Sequence, residues 1–541
     1  MRRVLTFLST LLILLPMLCP VSWAQGSNNP LPISPEKPNK SSVLEYSVAF
    51  LSQDPYLPTE VGLGVLEGVE DRNWSIIVET DVDKYPDVLF IMDSDDSYYL
   101  LPQCRDAYVV QLRWPGQVRI DCDQVIRVKD ADDAAEKALE FLEGFYYSGM
   151  RPVYSTVFSA GEDGYNGYRI PSVLTLDNGR ILAFAEARGV SKTDCAENDI
   201  VVKYSDDEGR TWSKMVMDAD GGESSYNNPT SVYVPEKDRI LVLFQEYPPK
   251  LYEGSVHTGM EGPGITRCHM VYSDDKGLTW SKPREITQQV KLPEAAAYAT
   301  GPGAAIRVAA GPDKGRILVS ANVAGGERGW FNYLFASDDA GESWFIIPGS
   351  SAYGTNESQV AQIGETEFVV NARSHRFDGA DQTPPKGWDP WRFGKLTRCR
   401  AMIPVTINGK ESQWHPTQLR WDLPDPVCQG AIFRYSGLKK KETSRLLFVN
   451  VANNLSVCPE QNFMWTSPMR ANGVIRVSYD EGQTWKHSRR IYGDRFTEFQ
   501  YSVLARTRSG KIACLFETLP EIKLAVFDME WLTGGQDKGK K

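Results

Sequence analysis

The chain carries a formal net charge of −11 at neutral pH. Its overall field repels anions, so an anionic ligand would have to be met by a local cluster of arginines or lysines. Arginines available for such a cluster include Arg169 in Tyr168-Arg169-Ile170-Pro171, Arg373 in Asn371-Ala372-Arg373-Ser374 and Arg470 in Pro468-Met469-Arg470-Ala471. Converging on one carboxylate, three guanidiniums give bidentate, charge-assisted hydrogen bonds that lysine does not copy. Glu357 stands sixteen residues before Arg373, and Tyr501 lies in Phe499-Gln500-Tyr501-Ser502. A carboxylate beside a phenol can take its proton and make a nucleophile of a group with an ordinary pKa near 10. Asp194 falls 25 residues after Arg169 and six after Arg188, on a polar loop where a general acid could sit. Glu197 and Asp199 compete for that role. Taken singly, every one of these residues is ordinary. A lone arginine on such a surface more commonly closes a salt bridge, and Tyr501 is one of 24 tyrosines.

What could position them is a repeated pattern, Ser-x-Asp-x-Gly-x-(Thr/Ser)-Trp. It occurs at Ser205–Trp212, Ser273–Trp280, Ser337–Trp344 and Ser478–Trp485, with starts separated by 68, 64 and 141 residues. The last interval is about twice the others, so a unit without the signature is expected between. The aspartate can accept backbone hydrogen bonds and tie a turn. The glycine permits positive φ, and the tryptophan can bury its ring between neighbouring sheets. Asp207, Asp275, Asp339 and Asp480 therefore read as turn-holders rather than catalysts. Short β runs surround the octets: Ile181–Phe184, Ile200–Tyr204, Ile240–Phe244, Phe368–Asn371, Leu446–Val449 and Ile512–Phe516. About 380 residues of this texture, from Val153 onward, suit six four-stranded blades.

With the octets and the Tyr-Arg-Ile-Pro motif together, residues 153–530 resemble the bacterial exo-α-sialidase (neuraminidase) family. The resemblance implies an all-β six-bladed β-propeller in which Arg169, Arg373 and Arg470 hold the carboxylate of a sialic acid. It implies that Tyr501 attacks the anomeric carbon, Glu357 is its base, and Asp194 is acid and then base. Arg188 would help bind the substrate. The segments Tyr226–Thr230 and Cys428–Gly430 would flank the pocket, and Glu517 would orient an arginine. A tyrosine nucleophile suits this chemistry, because an anionic carboxylate would be repelled by the sugar's own. The implied activity is retaining hydrolysis of terminal sialic acids from glycoproteins and glycolipids, with no cofactor and no metal. Alternatives are a trans-sialidase, a hydrolase of a related ulosonic acid (KDN or Kdo), or a non-catalytic propeller lectin. Trp388, Trp391, Trp414 and Trp421, in the long stretch Ser374–Leu423, could stack on sugars or pack on one another.

The remainder sets the frame. At 541 residues, with 24% charged and 42% hydrophobic residues, the chain is globular in composition and long enough for two domains. Its acidity argues against general nucleic-acid binding. Five histidines and no Cys-x-x-Cys argue against a zinc site. Arg2 and Arg3, the apolar run Val4–Leu18 and Ser22-Trp23-Ala24 read as a signal peptide over 1–24, predicting a secreted, periplasmic or cell-surface protein with no membrane span after cleavage. A Pro- and Asn-rich linker follows over 25–42. Residues 43–150 read as a small α+β domain with a helix over 130–147, and residues 533–541 as a disordered tail. Of eight cysteines beyond the signal, Cys104 and Cys122 are the expected pair.

Overall fold

The computed structural model describes residues 152–539, apart from 192, 325–328, 352–353, 375–398, 425, 440, 453–469 and 493–497, together with five strands between residues 61 and 128. The chain divides into two compact units. One spans residues 1–151; the other begins at Pro152 and excludes residues 389–392 and 493–497. In the first, Val61–Gly62, Asn73–Ile76, Val88–Asp93, Tyr98–Pro102 and Ile126–Val128 form an antiparallel sheet in chain order. The expected helix, signal segment, linker and cysteine pair lie outside the described residues.

The second unit is a six-bladed β-propeller. Blade 1 comprises Gly167–Thr175, Ile181–Arg188, Asn198–Ser205 and Met217–Ala219. Blade 2 comprises Ser225–Val234, Arg239–Tyr247, Arg267–Ser273 and Arg284–Glu285. Blade 3 is built on Ala297–Thr300, Ile317–Ala324, Phe331–Ser337 and Phe345–Ile347. Blade 4 holds Thr355–Gln362, Glu367–Ser374, Cys399–Asn408 and Glu411–Trp414. Blade 5 holds Ala431–Ser436, Arg445–Val451, Gly473–Ser478 and His487–Arg490. Blade 6 takes Gln500–Arg506, Ile512–Thr518 and Glu521–Phe527 from the end of the chain, and its outer strand, Val153–Ser159, from the start of the propeller. Second strands such as Ile181–Arg188 and Ile317–Ala324 are buried along their whole length, as expected of sheets covered on both faces.

Each octet forms the turn between the third and fourth strands of its blade. In the first, Asp207 accepts from the Arg210 and Thr211 amides (3.0 and 2.9 Å) and the Thr211 hydroxyl (2.6 Å). Ser205 donates to Asp207 at 2.7 Å and accepts from the Gly209 amide at 2.8 Å. These bonds, the Thr211 hydroxyl's first, hold the Asp207 carboxyl down to about 2. Gly209 has φ 84°, and a Cβ there would meet Leu524 Cδ2 at 2.2 Å, so both backbone and packing require glycine. The tryptophans pack back toward the preceding blade: Trp212 among blade 6 and 1 side chains, Trp280 between blades 1 and 2, Trp344 between 2 and 3, Trp485 between 4 and 5. Blade 4 is the unit without the signature, and Trp414 of its outer strand fills the same place between blades 3 and 4. Trp414 therefore packs in the propeller body rather than facing a sugar; Trp388, Trp391 and the side chain of Trp421 lie outside the described residues.

Blade 6 cannot carry an octet, because its third and fourth strands come from opposite ends of the propeller. Its third strand runs instead into a short helix, Met529–Thr533, capped by Asp528. There Trp531 packs against Phe527 with the rings tilted by 55° and receives Arg489 of blade 5 over its ring at 5.4 Å. The chain beyond does not match a disordered tail. Asp537 takes a forked pair of hydrogen bonds from Arg445 (2.6 and 2.9 Å) and a third from Tyr479 (2.9 Å).

Asp339→Ala removes the acceptor of bonds from Ser337 and Ser343 without touching any group at the other edge of the sheets. It is expected to cost about 1–2 kcal/mol of stability and to lower Tm by about 1–3 °C in thermal melts, with kcat/KM unchanged.

Candidate active site

Because strands alternate in direction, first strands begin, second strands end and third strands begin at one edge of every sheet; the octets close the other edge. Arg169, Asn227, Glu357 and Tyr501 lie near the starts of first strands, and Arg188, Arg373 and Glu517 near the ends of second strands. Arg470 precedes a third strand, and Asp194 lies on a loop between second and third. All the candidate residues therefore share one rim.

At that rim four inner strands break register: between Arg169 and Ser172, Asn227 and Thr230, Thr355 and Ser358, and Gln500 and Ser502. A bulge inserts a residue and re-aims a side chain. Ile170, Asn228 and Tyr501 have φ of 52°, 58° and 21°, a conformation that costs about 1–3 kcal/mol for residues other than glycine. Ile170 and Asn228 each precede a proline, which has no N–H to leave unpaired in the interrupted ladder. The surroundings hold the bulges in place: Glu517 accepts from the Ile170 amide at 2.6 Å, Glu186 from the Asn228 amide at 2.7 Å, and Gln429 from the Ser502 amide at 3.0 Å. Gln429 belongs to the Cys428–Gly430 segment, whose carbonyls accept from Arg400 and Asn371 at 2.8 and 2.9 Å.

The Tyr501 hydroxyl donates to Glu357 Oε1 at 2.5 Å. Both residues are buried, with 6% and 8% of their surface exposed, so little water competes for this bond. Arg373 lies 2.8 Å from Glu357 Oε2 and 3.5 Å from the phenol oxygen, and is steadied by Asn356 at 3.0 Å. The guanidiniums of Arg169 and Arg470 stand 5.1 and 5.5 Å from the centre of the Tyr501 ring. Burial, and then the Glu357 charge, push the phenol well above its ordinary value, while Arg373, Arg470 and Arg169 pull the other way. The resting site thus holds a neutral phenol already hydrogen-bonded to a base. The arginines moderate its acidity without ionising it. Arg169 is fixed by Glu517 at 3.1 Å, a fully buried carboxylate.

Asp194 and Arg188 form a second group. One Arg188 nitrogen reaches Glu186 at 2.7 Å and Asp194 at 2.8 Å. The Arg188 side chain is 1% exposed, and that of Asp194 67%. Arg188 is therefore enclosed rather than open to a ligand, which differs from the expectation that it binds substrate; its visible task is to hold Asp194 at the rim. Asn227 donates to the Asp194 carbonyl at 2.9 Å, tying down the loop. Asp199, the competing carboxylate, accepts from Tyr165 and the Gly221 amide, both at 2.9 Å, as a structural group does. Glu197 is exposed, with φ 53°.

Three acidic residues at this rim carry no motif. Glu186 is fully buried beneath Arg188, and burial pushes its carboxyl up. Glu498 accepts from the Gln500 amide nitrogen. Glu253 lies on the loop after Tyr247, within electrostatic range of Arg373, Glu357 and Asp194. Alternation in the Ile181–Arg188 strand, which puts residues 186 and 188 on one face, was the available signal for Glu186; the other two offered none. Among the described residues no group of three or more His, Cys, Asp or Glu side chains is arranged to hold a metal ion.

Burial raises the Glu253 carboxyl to about 7, with Arg373 opposing and Glu357 and Asp194 reinforcing. The native state therefore binds this proton more tightly than the unfolded chain, whose carboxyl titrates near 4.5. Its contribution to stability is fully present below 4.5 and falls as pH rises toward 7. Glu253→Gln removes that slope. In melts at pH 4.5 to 7.5, the Tm of the variant minus that of the wild type is expected to grow with pH; a constant difference would refute the assignment.

The BNR repeat-like domain matches residues 179–514, more than half of the chain. A sialidase of Micromonospora viridifaciens is 25% identical over 71% of this chain, a match that takes in only 55% of that relative's length. An exo-alpha-sialidase of Aspergillus fumigatus is 25% identical over 72% of this chain and 87% of its own. Among solved structures, the Hadza microbial sialidase Hz136 has a TM-score of 0.57 at 22% identity, covering 83% of this chain and 75% of its own. The NanB sialidase of Streptococcus pneumoniae has a TM-score of 0.57 at 13% identity, covering 88% and 94%. At these identities the structures speak for the fold alone. With the domain match spanning blades 2 to 5 and parts of blades 1 and 6, and sialidases aligned along most of the chain, this protein belongs to the BNR-repeat family of sialidase type.

Proposed function

We propose that the protein is a secreted, retaining exo-α-sialidase that hydrolyses terminal sialic acids from glycoproteins and glycolipids. The observation that carries this reading is the 2.5 Å Tyr501–Glu357 hydrogen bond set among three arginines. Sialidases among the relatives support the substrate class, and the apolar N-terminal segment supports export.

In this mechanism Arg169, Arg373 and Arg470 take the substrate carboxylate, which sits on the reacting carbon and fixes it over Tyr501. Asp194, exposed at the rim, protonates the departing glycosidic oxygen. The bond to the aglycone breaks through an oxocarbenium-like state while Tyr501 Oη bonds to the anomeric carbon and passes its proton to Glu357. The neutral phenol meets no repulsion from the substrate carboxylate, and the guanidiniums stabilise negative charge developing on its oxygen. Asp194, now ionised, takes a proton from water. That water attacks the anomeric carbon, and the phenolic oxygen leaves with the proton held by Glu357. Two displacements at one carbon retain configuration.

Release of a fluorophore from the aryl α-ketoside of N-acetylneuraminic acid tests the reading. Tyr501→Phe and Asp194→Ala are each expected to lower kcat by about 10²–10⁴. NMR of the first-formed sugar should show the α anomer; first release of the β anomer would rule out retention. Ketosides of KDN and Kdo, and analysis for transferred or anhydro products, separate this activity from the hydrolase and transferase alternatives. A folded protein that releases none of these sugars would favour a binding propeller.

A further inference from the structure

The three arginines around Tyr501 are held in different ways. Arg169 is paired with Glu517, and Arg373 with Glu357. Arg470 has neutral acceptors: Gln500 Oε1 at 3.1 Å and the Val427 carbonyl at 2.7 Å. Among the described residues no acidic side chain is paired with it. The electrostatic neighbours that act most on Arg470 are Cys428, Tyr501 and the other two arginines.

The carboxylate missing from Arg470 lies one side chain further away. Gln500 Nε2 donates to Glu498 Oε1, and Glu498 is held at the rim by the bridge between its backbone and that of Ala471, the residue after Arg470. An amide side chain has a donor edge and an acceptor edge that can exchange by rotation. With its donor edge turned to Arg470, Gln500 would set N–H against N–H and push the guanidinium away. An ionised carboxylate only accepts. Glu498 therefore selects the amide orientation that presents Oε1 to Arg470.

We propose that Glu498 is a positioning residue for the substrate-carboxylate clamp, acting through Gln500 to fix Arg470 without neutralising it. A carboxylate in direct contact would hold Arg470 as firmly but compete with the substrate's own carboxylate. The intervening amide passes on orientation and leaves the cationic charge for the ligand. This inference rests on the sialidase reading.

The test uses the full chain, with variants Glu498→Met, Gln500→Met and the double variant. Two measurements are made: kinetics on the aryl α-ketoside, and calorimetric binding of the 2-deoxy-2,3-dehydro sugar acid and its methyl ester. Glu498→Met is expected to raise KM about tenfold, with kcat changed less than about threefold. It should weaken binding of the acid by a similar factor while leaving the ester, which offers no carboxylate, unchanged. The double variant should be no worse than Gln500→Met alone. Equal losses for acid and ester, additive penalties, or wild-type behaviour in Glu498→Met would each overturn the proposal. If Glu498→Met does not fold, the acid-against-ester comparison on Gln500→Met decides in the same terms. A folded wild type that neither cleaves the ketoside nor binds the acid removes the sialidase reading and this proposal with it; an active wild type with indifferent variants removes the proposal alone.

Discussion

Three guanidiniums gathered around one buried phenol repel each other, and the architecture of the rim follows from keeping them there. Arg470 feels both Arg373 and Arg169 as unfavourable neighbours. Blade 6 supplies Glu517 for Arg169 and Gln500 for Arg470, which also bonds the Val427 carbonyl, while Arg373 is held by Glu357 within blade 4. The carboxylates are buried, and they compensate the positive charge only in part. What the rim offers an anion is a local gathering of guanidiniums in a chain whose total charge is negative.

The propeller suits this task because it brings one end of every inner strand to a common rim. Regular strands alone would point alternate residues up and down the sheet faces. The bulges at Arg169–Ser172, Asn227–Thr230, Thr355–Ser358 and Gln500–Ser502 break that alternation where the chemistry sits. Their strained backbone is tolerated because Glu517, Glu186 and Gln429 satisfy the amides that the bulges turn aside. The far edge, with its repeated aspartate-tied turns, gives the blades the stiffness against which this strain is held.

Much of this was legible in the residues themselves. The octets announced the blades because their function is local: the aspartate, the glycine and the hydroxyl act within a few residues of one another. The doubled spacing before the fourth octet correctly implied a blade without one. The pairing of Tyr501 with Glu357 and the gathering of Arg169, Arg373 and Arg470 were anticipated from the resemblance to the sialidase family, not from those residues taken singly. The bulges were not, since nothing about Ile170 or Tyr501 as residue types favours positive φ. The enclosure of Arg188 was missed because burial depends on what packs against its strand, on which Glu186 shares the same face. Glu253 lies among partners far away in the chain, and Glu498 bonds Gln500 two positions on outside any motif, so neither leaves a readable local mark. The last residues looked disordered because they are small and polar, yet Asp537 finds Arg445, 92 positions away.

The seam of the ring lies where the first and last strands of the propeller pair, Val153–Ser159 against Glu521–Phe527. Blade 6 carries Tyr501 and Glu517; blade 1 carries Arg169, which Glu517 holds. Tyr501 and the partner of Arg169 thus lie more than three hundred positions after the strand that completes their sheet. Blades 1 to 5 by themselves hold neither Tyr501 nor Glu517. The rim is completed only when the two ends of the propeller meet.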